Sequence, residues 1–242
     1  MMLIQCNTIF LIIRKAGEWR ELVRQWWAGL SEGDKLFWPI CGANILVFLA
    51  FRVPALQPAM IKWFASNPAS PATCVPMVLS SFAHYGVFHL GCNMLVLHSF
   101  MPTCVHVMGR EQFLGFYLAA GVASSFASMA FRVATRSTAY SLGASGAICG
   151  VVGLFSQFYP DARLAILFLP MVTFSAATAV KGLMLVDGVG LALGWRLLDH
   201  AGHLAGVLCG LGWAHYGARE VWGRRERLVT AWHQLRSGKF DR

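Results

Sequence analysis

GASGAICGVVGLFSQFY, residues 143–159, runs apolar and uncharged from a small-residue start to the Pro160-Asp161 stop behind it. Seventeen such residues suit a helix held in a membrane or deep among other helices. Ser145 stands at its start, where a polar group is costly in lipid and functional by default. Gly146, Gly150 and Gly153 fall on one stripe of that helix. Small residues so spaced let two helix backbones approach closely.

The rest of the chain agrees with a membrane setting. Of 242 residues, 57% are hydrophobic and 13% charged. A soluble domain of this length would carry roughly a quarter charged residues. Five further stretches are candidate spans: 36–53, 84–106, 112–131, 178–197 and 200–217. The expected fold is therefore all-α, a polytopic membrane protein with a six-helix core. It divides into an N-terminal segment (1–35), the core (36–217) and a basic tail (218–242).

Four segments lie outside the spans. Residues 1–13 are apolar but short, and they lack the basic flank of a secretory signal. Residues 18–30 set Trp19, Leu22, Val23, Trp26, Trp27 and Leu30 among charges, which predicts an amphipathic helix at the membrane surface. Residues 54–76 form a long, partly apolar, proline-rich first loop associated with the membrane. Residues 164–176 are apolar but divided by Pro170, and read as a loop in or near the interface.

The net charge of +9 does not point to nucleic acid. Basic residues gather near the chain ends, not in a stripe with interleaved aromatics. With six spans, fifteen of the twenty lysines and arginines fall on the side of both termini and five on the other: Arg52, Lys62, Arg132, Arg136 and Arg196. That asymmetry is how positive charge is laid out on a multi-spanning protein. Seven cysteines without a CxxC spacing predict buried thiols rather than a disulfide framework. No metal and no cofactor is expected.

Helix direction brings three polar clusters together. Spans two, four and six run the same way, so their N-terminal ends share one membrane layer. The second opens with His84, His89 and Asn93; the fourth with Gly143, Ser145 and Gly146; the sixth with Asp199, His200 and His203, then Gly206 and Gly210. His89 and Asn93 are four apart and share a helix face. His203, Gly206 and Gly210 form a stripe that can meet the glycine stripe of the fourth helix, setting Ser145 beside His203. A serine needs such a base to become a nucleophile, and histidine serves near neutral pH. The Ser145 backbone N–H, at a helix N-terminus, can form an oxyanion hole with His89 and Asn93.

These clusters resemble the rhomboid intramembrane serine proteases. That family's pattern is His-x4-His-x3-Asn, Gly-x-Ser-Gly and His-x2-Gly-x3-Gly on the second, fourth and sixth core helices, matched here by His84/His89/Asn93, Gly143/Ser145/Gly146 and His203/Gly206/Gly210. The loop 54–76 is similar to the family's membrane-embedded first loop. FRVP (51–54), SNPAS (66–70), GREQF (109–113), RLAILFLPM (163–171) and GWRLLDHAGHL (194–204) resemble its mitochondrial members. The resemblance implies a Ser–His dyad that cleaves single-span membrane proteins, in the mitochondrial inner membrane. Those members carry a transit peptide and an extra helix before the core, and this chain starts too late to hold both. Bacterial relatives often place an aromatic four residues after the serine to pack on the histidine; here that position is Cys149.

Blander readings attach to several residues. His84 is expected to brace the loop or the second-helix start. His200 competes with His203 as base but does not lead the glycine stripe. Asp199, four before His203, is the one carboxylate read as able to complete a triad. Asp187, inside the fifth span, is unassigned. His98 and His106 are expected to be structural. A haem or metal protein is a rival that leaves Gly-Ala-Ser-Gly without a role. A non-catalytic rhomboid-like protein that binds membrane clients is another; such relatives typically lose the serine or the histidine. Small-molecule transport is weaker still, since no inverted repeat is visible.

Overall fold

A computed structural model describes residues 18–166, 169–195 and 198–237. The expectations for residues 1–13 and for the last residues of the tail lie outside the described residues. Helix α1 covers 18–29 and keeps its Trp and Leu side chains exposed, as an amphipathic surface helix would. It is followed by α2 (Glu32–Ala50), α5 (Val87–Met108), α6 (Arg110–Ala134), α7 (Ser145–Phe158), α8 (Ala176–Leu193) and α9 (His200–Gly212). The first loop holds two short helices, α3 (Gln57–Phe64) and α4 (Cys74–Leu79).

Local chemistry sets the helix ends. Ser31 caps α2 by accepting the Asp34 N–H at 3.0 Å. Ser175 caps α8 by accepting the Thr178 N–H at 3.2 Å. Both satisfy donors that a helix N-terminus leaves orphaned. Gly109, at φ +83°, ends α5 and lets α6 start at once in a new direction.

Among the described residues, four helices are long and apolar enough to cross a membrane: α2, α5, α6 and α8. Leu46 and Leu49 on α2 and Leu185 and Leu193 on α8 stay exposed, the surface a bilayer would cover. The expected fourth and sixth spans are shorter as α-helices. α7 has 14 residues and α9 has 13. α7 packs among α5, α6, α8 and α9, with Ala147, Ile148, Val151 and Leu154 buried. A helix faced by protein need not match the lipid thickness. α9 continues without a break as a π-helix, Trp213–Trp222, five residues past the expected end at 217. α10 (Arg225–Ser237) follows, so the described part of the basic tail is helical.

The stretch expected as an interfacial loop is a β-hairpin. β1 (Arg163–Ile166) and β2 (Leu169–Ser175) pair antiparallel, Arg163 opposite Ser175 and Leu164 opposite Phe174. Pro170 and the β-branched Val172 and Thr173 disfavour helix there. Pairing the strands satisfies backbone groups that an open loop near lipid would leave unmet.

Candidate active site

Two glycine stripes bring α7 and α9 into backbone contact. A Cβ added at Gly206 would run into the Gly146 carbonyl, and one at Gly210 into the Gly150 carbonyl. One at Gly153 would come within 2.8 Å of the Val207 carbonyl oxygen. Ser145 is the first residue of α7 and His203 lies in the first turn of α9, so this contact fixes their separation. His203 Nε2 stands 2.8 Å from Ser145 Oγ. His203 is buried and Ser145 half-buried.

The two side chains open into a cavity of about 630 Å³, shared with Tyr85, His89, Asn93, Arg132 and Asp199. His89 and Asn93 lie on α5 as expected. Asn93 donates a side-chain N–H to the His89 carbonyl at 2.8 Å, which leaves its second amide hydrogen for the cavity. Ser145 opens α7, so its N–H has no partner within the helix. Gly143 precedes it at φ +137°, and a Cβ there would come within 2.9 Å of the His89 ring. Glycine is thus required by conformation and by space.

His84 meets the start of α7 and not only α5. Its Nε2 accepts the Ala144 N–H at 3.5 Å, just ahead of Ser145, and its ring lies edge-on to His89 at 4.9 Å. Tyr85 stacks on the other side of His89 at 6.2 Å and donates its hydroxyl to the Tyr140 carbonyl at 3.1 Å.

Asp199 does not complete a triad. Its Oδ1 accepts the Gly202 N–H at 3.2 Å, capping α9, and its Oδ2 pairs with Arg132 at 3.3 Å and accepts the hydroxyls of Ser128 and Ser141. Burial works to raise the Asp199 carboxyl, but both hydroxyls, Arg132 and the Gly202 N–H outweigh it and hold it below the usual carboxylate range. Arg132, read from the sequence only as a charge on the minority side, also donates to the carbonyls of Ala139 at 2.6 Å and Tyr140 at 3.0 Å. This cluster ties the start of α9 to the strand-like segment before Gly143, where Ser141 bridges Ser66 of the first loop.

His200 turns away from the serine. Its Nδ1 lies 2.7 Å from Asp187 Oδ1 on α8. The same oxygen is 3.5 Å from His203 Nδ1. The sequence left Asp187 unassigned, and it is the carboxylate that reaches His203.

Comparison with known proteins gives the family. The family described as Rhomboid domain matches residues 71–220. The chain is 46% identical over 224 residues to the Presenilin-associated rhomboid-like protein, mitochondrial, of Homo sapiens, covering 93% of this chain and 59% of that protein. It is 30% identical to Rhomboid protein 1, mitochondrial, of Saccharomyces cerevisiae, covering 81% of this chain and 57% of that protein. To Rhomboid protease GluP of Bacillus subtilis it is 31% identical over 137 residues, 56% of this chain and 24% of that one. The chain thus spans under two thirds of the length of these relatives. It belongs to the rhomboid family and is a polytopic, mostly helical membrane protein.

Proposed function

We propose that the chain is an intramembrane serine endopeptidase. The 2.8 Å approach of Ser145 Oγ to His203 Nε2, beside a cavity, is the observation that carries this reading. A substrate helix unwinds at the cavity and presents a scissile carbonyl. Ser145 Oγ bonds to the carbonyl carbon as His203 Nε2 takes the hydroxyl proton. The oxyanion is met by the Ser145 N–H, His89 and Asn93. The C–N bond then breaks as His203 returns the proton to the leaving amine. Water, activated by the same imidazole, hydrolyses the acyl-enzyme and frees Ser145.

The substrates are single-span membrane proteins, a class that suits a site among membrane-spanning helices. The location is the mitochondrial inner membrane; the human and yeast relatives are mitochondrial by name. The core has six spans with both ends on one side; the fifteen-to-five split of basic residues supports this count. A non-catalytic, client-binding rhomboid-like role is the second reading. The close Ser145–His203 pair speaks against it.

Reaction with a fluorophosphonate probe tests the proposal. The native chain in vesicles should become labelled, while Ser145→Ala and His203→Ala should not, with all three folded. Equal labelling of native and Ser145→Ala proteins would sink the assignment.

A further inference from the structure

Asp187 is an unusual residue to find where it is. It sits on α8 at 1% exposure, on a helix otherwise rich in apolar, lipid-suited side chains. A buried carboxylate is expensive unless it is paired or hydrogen-bonded. Its Oδ1 meets two imidazoles, His200 Nδ1 at 2.7 Å and His203 Nδ1 at 3.5 Å. Among the described residues, its Oδ2 and the His200 Nε2 have no hydrogen-bond partner.

The tautomers follow from this arrangement. A carboxylate oxygen only accepts, so the nitrogens that face it carry the hydrogens. A neutral His203 with its hydrogen on Nδ1 has a bare Nε2, and that Nε2 is the atom 2.8 Å from Ser145 Oγ. The opposite tautomer would turn a lone pair on the carboxylate and an N–H on the serine, and the base would be lost. Asp187 therefore selects the one neutral form of His203 that can take the serine proton. It also faces the imidazolium once the proton has moved.

The place of Cys149 fits. That residue, where an aromatic would rest on the base, is a small buried side chain clustered with Val180 of α8 and Val207 of α9. Orientation of His203 comes from the Asp187 carboxylate of α8, 3.5 Å from Nδ1, in place of a ring from α7 by stacking. His200 holds the carboxylate: its ring is wedged against Gly190, where an added Cβ would come within 2.5 Å of Nε2. It fixes Asp187 and at the same time competes for it.

We propose that Asp187 is the positioning residue of the base, setting the His203 tautomer and stabilising its protonated form, with His200 as a tether that shares the carboxylate. This rests on the protease reading above. Other titratable groups near the pair are His89 from α5, which shares the cavity with His203, and Cys149 from α7, which faces Asp187; the paired Arg132 and Asp199 line the same cavity.

The test is the pH dependence of fluorophosphonate labelling, measured on the full chain in phospholipid vesicles between about pH 5 and 9. Asp187→Asn should label about ten- to a hundredfold more slowly at neutral pH, with its acid limb moved to lower pH, because the imidazolium has lost its counter-charge. Asp187→Glu should restore part of the rate. His200→Leu should move the acid limb the other way, since the carboxylate then serves His203 alone; this arm decides if Asp187→Asn does not fold. A folded Asp187→Asn that labels slowly with an unmoved limb would show a merely structural pair and overturn the proposal, as would an unmoved limb in His200→Leu. A native chain that does not label at all would instead overturn the protease reading itself.

Discussion

Asn93 gives one amide hydrogen to the backbone carbonyl of His89, one turn back on α5, at 2.8 Å. The bond fixes the amide plane and divides the two hydrogens between helix and cavity. If the second one meets the oxyanion, it acts only when charge develops there. Asn93→Ala should then lower kcat for a peptide substrate by about a hundredfold and leave KM nearly unchanged. Steady-state kinetics check this; a raised KM with native kcat would count against it.

His84 is expected to matter less. The contact from the Ala144 N–H is long, 3.5 Å, and carries no charge. His84→Phe keeps a ring against His89 and removes the acceptor. The cost should be at most about 1 kcal/mol of stability, with labelling of Ser145 slowed but not lost. Thermal unfolding in detergent, run beside the labelling assay, measures both.

Gly206 and Gly182 should respond in opposite ways. Gly206 lies on the Gly146 carbonyl, whereas a Cβ at Gly182 on α8 meets nothing within 4 Å. Gly206→Ala must push α9 off α7, at about 1–3 kcal/mol. A shift of about an ångström between nucleophile and base can remove about a hundredfold in rate. Gly182→Ala should be neutral or stabilising by up to about 1 kcal/mol with native labelling.

Asp199 predicts a pH effect on stability. Its folded carboxyl is held below the ordinary range, so its contribution is fully present above the unfolded pKa and is lost as pH falls through the lower folded value. Asp199→Asn keeps the cap but should lose about 2 kcal/mol at neutral pH, from the charge that faces Arg132 and the two hydroxyls. The gap to the native chain should close only in strong acid. Unfolding midpoints at neutral and acid pH check the sign.

The contact of Ser145 with His203 was legible because its parts are local. Glycine spacing marked the faces of α7 and α9, and helix direction set both ends at one depth. His89 and Asn93 were legible by their shared face. Asp187 was not. It stands alone in an apolar span, and its partners depend on which face of α8 meets α9, a relation no local pattern records. Asp199 carries a signal open to two readings, triad member or cap, and an Asp just ahead of a helix is first a cap. The hairpin at 163–175 was hidden because a lipid-suited strand and a lipid-suited loop differ little in composition. The short α7 and the π-helical extension of α9 were hidden too. Hydropathy reports what surrounds a helix, not where its hydrogen bonding begins or changes.

In lipid, apolar side chains do not drive two helices together, since the tails are as apolar as they are. α7 and α9 are held by surface fit. The same fit sets the distance between Ser145 and His203. On the proposed protease reading, assembly and arming are then a single event: a chain still being inserted, with these helices apart, carries two inert side chains, and it gains a reactive serine only when its last core helix has docked.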